Sequence, residues 1–244
     1  MSIVSIKNFS KMYSKGAKAV DGLSLELVSG DIYGFVGHNG AGKTTTIRAM
    51  VGIMDFEEGS IQIDGIDVKD DPIAVKSRIA YIPDKPDVYE FITGLQYLNY
   101  IADIFGVDKD ERHRLISYYA GKLEILGNLN DLISTYSHGM KQKIVLVGAF
   151  IHKPKLLILD EPFIGLDPIA AITLREMMQE LVSEGSAIFF SSHVLQVVET
   201  LCNKIGIIKG GKLIRDGYTE AVLGDSSLEE LFVKTAAKGD ADAG

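Results

Sequence analysis

The residues best suited to chemistry lie in GHNGAGKTTT, from Gly37 to Thr46. A glycine, four residues, and then Gly42, Lys43 and Thr44 satisfy the phosphate-loop pattern. The glycines let successive backbone N–H groups turn inward around a phosphate chain, and Lys43 adds a point charge toward the β and γ phosphates. Thr44 offers a hydroxyl to magnesium. Alone, this loop implies a bound nucleoside triphosphate and leaves the type of machine open.

Five further residues carry candidate chemistry. The run KLLILDEPFIGLDP sets Asp160 and Glu161 at the end of four consecutive apolar residues. Two carboxylates at the carboxyl end of a buried strand need something positive, and magnesium with an attacking water are the natural occupants. His193 follows the apolar SAIFF and SS, so it too stands at a strand's carboxyl end; by itself it reads more often as a helix cap or a packing residue than as a functional group. In YSHGMKQK, Ser137 opens a helix, which makes either a plain cap or an anion site. Tyr13 reads from periodicity as an aromatic covering the core edge or as a stacking platform for a purine. His113, in a charge-rich helical stretch, reads as a solvated surface residue.

The elements that must hold these residues follow from hydrophobic periodicity. IYGFV (Ile32 to Val36) reads as a strand leading into the phosphate loop, and IRAMVGIM (Ile47 to Met54) as the helix leaving it. Before them, IVSIKNF and LSLEL alternate as an antiparallel pair separated by KMYSKGAKAVDG. SIQIDGIDV gives a short strand or hairpin, and RIAYIPD a strand ended by Pro83. From Pro86 to Thr135 the pattern turns helical, with Leu98, Ile101, Ile104 and Phe105 at helical spacing. LLIL reads as a central parallel strand. A helix from Ile169 to Glu184, the strand SAIFF and the helix VLQVVETL form a second βα unit. GIIKGGKLIRDG reads as a hairpin, SLEELFVKTAA as a last amphipathic helix, and KGDADAG as a disordered tail.

Composition sets the outer bounds. The 244 residues are 46% hydrophobic, enough for a sizeable core, and the net charge of −8 argues against a nucleic-acid footprint. One cysteine, Cys202, permits no internal disulfide, and the N-terminus lacks the pattern of a signal peptide, which fits a reducing cytosol. No run approaches the ~18 apolar residues of a membrane span, so a membrane role would come through another chain.

Taken in order, GHNGAGKTT, YIPD, YSHGMKQK, LLILDEP, GLD and SSH resemble the ATP-binding cassette (ABC) ATPases over nearly the whole chain. The wording is similar to the nucleotide-binding subunits of bacterial ABC transporters paired with separately encoded exporter-type permeases. That resemblance implies an α/β fold: a phosphate-loop NTPase core with an N-terminal antiparallel β subdomain and an inserted helical subdomain. The core and β subdomain take residues 1–85 and 136–222, the helical subdomain 86–135, and a C-terminal helix and tail 223–244. It also implies ATP and Mg2+ as cofactors, with Tyr13 stacked on adenine. Gly37, His38, Asn39, Gly40, Ala41, Gly42, Lys43, Thr44 and Thr45 would surround the phosphates. Asp160 would hold magnesium with Thr44, Glu161 would act as general base, and His193 would contact the γ-phosphate. Ser137, Gly139 and Met140 belong to the signature that caps the ATP of the other subunit in a head-to-tail dimer. Asp167 lies in the loop between the two sites.

Two departures from the family pattern bear on function. Asp84 stands where the family usually has glutamine; charged and one methylene shorter, it still suits magnesium, directly or through water. His138 and Met140 replace glycine and glutamine in the signature, while Ser137 and Gly139 remain, so ATP sandwiching is expected to survive. The implied partners are a membrane permease and a second copy or a paralogue, with no nucleic acid, on the inner face of the cell membrane. Two other functions compete: a non-transport ABC ATPase acting on DNA or the ribosome, and an ATP-dependent regulatory module with low turnover. The first is disfavoured by the acidic charge and the absence of a long coiled coil or a second cassette, the second by the intact Lys43, Asp160 and Glu161.

Overall fold

Runs that are apolar on both faces become strands buried on both faces, and two of them carry the site: Ile32–Val36 and Leu156–Asp160 are buried at every residue. The computed structural model describes residues 2–13, 16, 18–85 and 87–237. In chain order these form β1 (Ser2–Met12), β2 (Lys18–Val28), β3 (Ile32–Val36), α1 (Lys43–Met50), β4 (Glu58–Ile63), β5 (Ile66–Asp67), α2 (Pro72–Lys76) and β6 (Ile79–Ile82). The helical stretch follows as α3 (Gly94–Ile104) and α4 (Lys109–Lys122), with two 3-10 turns before α5 (His138–Phe150). Then come β7 (Leu156–Asp160), α6 (Pro168–Ser183), β8 (Ala187–Ser192), α7 (Leu195–Leu201), β9 (Lys204–Lys209), β10 (Lys212–Tyr218), α8 (Thr219–Leu223) and α9 (Leu228–Ala237).

Among the described residues two sheets form. One has the order β10-β9-β3-β8-β7-β6, the other β2-β1-β4-β5. In the six-stranded sheet β3 runs parallel to β8 and β9, and β7 parallel to β6 and β8; only β10 is antiparallel. Since side chains alternate across a strand, this sheet feeds two cores. Ile32, Val36, Leu157, Leu159, Ile188 and Phe190 join the core shared with helices α3 to α7. Tyr33, Phe35, Leu156, Ile158 and Phe189 face the other way, against α1 and the antiparallel sheet. Tyr33 stacks on Phe189 at 5.4 Å and its hydroxyl donates to Asp216 at 2.6 Å, so the buried phenol is satisfied.

Helix starts follow local capping chemistry. Thr93 and Gln96 form a capping box on α3, Asp108 caps α4, and Asp167 followed by Pro168 opens α6. Several bounds differ from the sequence expectations. β1 and β2 run further into the expected break, with Lys11 opposite Val20 and Met12 opposite Lys18. The helix after the phosphate loop begins at Lys43, four residues before Ile47. Within the stretch expected to be helical to Thr135, α4 stops at Lys122, and Glu124 has a left-handed backbone (φ 57°). The short helices α2 and α8 were not anticipated, and the tail expected to be disordered lies outside the described residues.

Candidate active site

The phosphate loop leaves β3 through positions that admit no side chain. A Cβ on Gly42 would meet the Ala19 carbonyl oxygen at 2.6 Å, and its φ of 113° suits glycine alone. Past that turn Lys43 begins α1, and its ammonium donates to the carbonyls of Gly37 at 2.6 Å and His38 at 3.4 Å. Ala41, buried beneath the loop, donates its N–H to the same His38 carbonyl at 3.0 Å. Burial pushes the Lys43 ammonium below its ordinary pKa, while Glu161 and Asp160 pull it back up. The lysine is thus held over the loop by weak carbonyl acceptors, a charge that a phosphate chain would satisfy better.

The carboxylates arrive on the neighbouring strands. β7 and β8 are parallel and in register with Asp160 beside Ser191. The Ser191 hydroxyl donates to Asp160 Oδ1, and Thr44 Oγ1 donates to Asp160 Oδ2 at 3.1 Å. Asp160 is 5% exposed and has a hydroxyl on each oxygen. One residue on, Glu161 has φ 54°, a left-handed conformation that costs a non-glycine residue on the order of 1 kcal/mol or more. That twist turns its carboxylate back toward the end of β8: Oε2 accepts from the His193 N–H at 3.2 Å and lies 2.9 Å from His193 Nδ1.

These groups surround an open cleft of about 370 Å³. His38, Asn39, Gly40, Gly42, Lys43, Thr44 and Thr45 form one wall, and Asp84, Asp160, Glu161, Ile164 and His193 the other. Tyr13, about half exposed, lies beside Thr45, with its hydroxyl 3.4 Å from Thr45 Oγ1 and 3.2 Å from the Met54 sulfur. Gly37 reaches the site through its carbonyl to Lys43. The signature residues do not line this cleft. Ser137 caps α5, accepting from the Met140 N–H at 3.3 Å, and a Cβ on Gly139 would meet the Gly165 carbonyl oxygen at 3.1 Å. The adjacent Asp167 accepts from the Ala170 N–H at 2.8 Å and pairs with Lys143 at 2.9 Å. The YSHGM segment therefore packs on the GLD loop of its own chain, and its exposed serine belongs to a different face from its own phosphate loop.

A family comparison decides what this cleft belongs to. The sequence model of the ABC transporter family matches residues 20–164. The chain belongs to the ABC transporter family. It is similar to the ABC-type transporter ATP-binding protein EcsA of Bacillus subtilis (strain 168), 32% identical over 239 residues and 96% of each chain. The bacitracin transport ATP-binding protein BcrA of Bacillus licheniformis is 38% identical over 219 residues, spanning 88% of this chain and 69% of the relative. A solved structure described as the ATP binding subunit of an ABC transporter superposes with a TM-score of 0.91 at 32% identity, covering 95% of this chain and 98% of that one. The chain is accordingly an ATP-binding, ATP-hydrolysing ABC transporter subunit with the phosphate-loop NTPase fold.

Sequence reasoning missed two residues of this ABC ATPase site. Ser191, quoted in the SSH run without a role of its own, orients Asp160 from the adjoining strand. Its signal was a hydroxyl in an otherwise apolar buried strand, where an unpartnered polar group would be costly. Ile164 walls the cleft from the loop after Glu161, and an isolated isoleucine carries no sequence signal for that position.

Proposed function

We propose that this ABC ATPase binds ATP in the cleft at the phosphate loop and closes head to tail on a second copy or a paralogue around two ATP molecules. In this reading it drives a separate membrane permease, in the direction of export. The carrying observation is the division of the motifs: phosphate loop, Asp160, Glu161 and His193 share one cleft, and Ser137, Gly139 and Met140 lie outside it. An N-capped helix with an exposed serine is suited to an anion brought by another molecule, and a second chain supplies one. The export direction rests on the wording of the motifs, which is similar to that of exporter-type subunits.

Within the cleft, backbone N–H groups from Gly37 to Thr45 and the Lys43 ammonium hold the phosphates, and Tyr13 stacks on the base. The oxygen donors Thr44 and Asp160, with Asp84 nearby, fit magnesium, a hard cation that takes few protein ligands and shares the rest with phosphate and water. When bound, Mg2+ neutralises charge on the phosphate oxygens. Glu161 accepts the proton of the attacking water as that water bonds to the γ-phosphorus, and the bond to the β–γ bridging oxygen breaks to release ADP. His193 keeps the Glu161 carboxylate oriented and, lining the same cleft, would contact the γ-phosphate. Phosphoryl transfer is mostly positioning and charge stabilisation, so this set is sufficient.

The permease contact is assigned to the helical subdomain, residues 86–135, as a lobe distinct from the core and β subdomain. Its support is an exposed aromatic patch: Phe91 is 94% exposed, and Tyr89 meets Tyr100 edge-on at 5.8 Å. Among the described residues no helix is long and apolar enough to cross a membrane, so residence on the inner face of the cell membrane would depend on that partner. Glu161→Gln should abolish hydrolysis while keeping ATP binding and trapping a two-chain species. Unchanged turnover in that variant removes Glu161 from its role, and purification from membranes without a polytopic partner argues against the transport assignment.

A further inference from the structure

The C-terminal helix reaches the phosphate loop. α9 is fastened to α7 by its first residue: Leu228 is fully buried, and its N–H donates to the Glu199 carboxylate at 3.1 Å. One helical turn later, on the same face, Phe232 sets its ring 4.4 Å from the imidazole of His38, tilted by 46°. His38 is an exposed loop residue that lines the cleft, and its carbonyl takes the Ala41 N–H and the Lys43 ammonium. α7, to which α9 is fastened, starts two residues after His193. One helix near the end of the chain thus touches the loop that holds phosphate and packs on the helix behind the residue facing Glu161.

We infer that Phe232 is a positioning residue for nucleotide binding, acting through the His38 side chain at the rim of the phosphate loop. The inference rests on the reading of this cleft as the ATP site. The Phe232 ring restricts the rotamers of His38, so less freedom is lost when the triphosphate enters and the rim of the loop is preorganised. Phe232 is not among the residues that line the cleft with Lys43, Asp160 and Glu161, so its removal should weaken capture of the nucleotide and leave the hydrolytic step intact.

The test measures binding of a fluorescent ATP analogue, and kcat and KM where hydrolysis is measurable, on the full chain. Phe232→Leu keeps an apolar side chain against the core and removes the ring; it should raise the Kd and KM roughly three- to ten-fold with kcat unchanged, the range of one aromatic contact. Phe232→Tyr, which retains the ring, should bind as the unsubstituted chain does. In a His38→Ala background Phe232→Leu should have no further effect, because the group it acts through is gone. An unchanged Kd in Phe232→Leu, or the same loss with and without His38, overturns the inference while leaving the ATP site standing. Failure of the unsubstituted chain to bind the analogue overturns the site reading and the inference together.

Discussion

Asp160 concentrates the electrostatic problem of the site at one residue, a carboxylate buried at the end of β7 and satisfied by two hydroxyls on different elements. Removing one of them exposes what it does. Ser191→Ala should cost about 1–3 kcal/mol of unfolding free energy without nucleotide, the penalty for a buried charged acceptor losing a donor. Magnesium with ATP should recover part of that loss, which calorimetry with and without Mg-ATP would measure. Tyr13 makes a second residue-level prediction. Its hydroxyl contacts Thr45 and Met54, and the proposed work is done by the ring. Tyr13→Phe should bind ATP nearly as the parent does, and Tyr13→Ala should lose about 1–3 kcal/mol in a titration with ATP.

At the scale of elements, the parts legible in the sequence were those with strong local signatures. β3 with its phosphate loop, the LLIL run of β7 and the serine start of α5 fall where the residue patterns place them. What escaped was set by tertiary contact. Lys11–Met12 and Lys18–Val20 read as turn residues yet extend the β1–β2 ladder, because pairing continues for as long as a partner strand is present. α2 and α8, five residues each, are too short to show a helical period. α1 starts at Lys43 because the backbone turn at Gly42 ends there, whereas hydrophobic periodicity appears only from Ile47. The stack of His152 on Phe105, beside α3 and α5, was invisible as well. Burial lowers the His152 pKa from 6.5 to about 4. Between those values the unfolded chain binds more protons at this position than the folded one, so the stability it protects is complete above about pH 6.5 and lost as pH falls toward 4. The loss is on the order of 3 kcal/mol. His152→Gln should flatten that acid limb in denaturant titrations, and an unchanged slope would exclude His152 as its source.

At the scale of the whole molecule, the two cores on either face of the six-stranded sheet fix the order of motifs along one edge, with the cleft at the carboxyl ends of β3, β7 and β8. The same architecture leaves Ser137, Gly139 and Met140 outside that cleft, so in the proposed head-to-tail assembly each chain contributes to two shared sites. In the proposed assembly Asp84 would connect the site to the permease: it lines the cleft and precedes the exposed Tyr89 and Phe91 in sequence. Asp84→Gln should change hydrolysis measured with the permease more than it changes ATP affinity; an equal change in both would count against that link.

Complementation between two inactive chains tests the shared site directly. A Lys43→Ala chain keeps its signature and lacks a working phosphate loop, whereas a Ser137→Arg chain keeps its loop and presents a blocked signature. Each alone should be inactive, and mixing them in equal amounts should restore ATP hydrolysis at about a quarter of the parent rate, from the one complete site in each mixed pair. A parent chain that hydrolyses ATP, with a mixture as inactive as its components or a Ser137→Arg chain as active as the parent, would contradict the account.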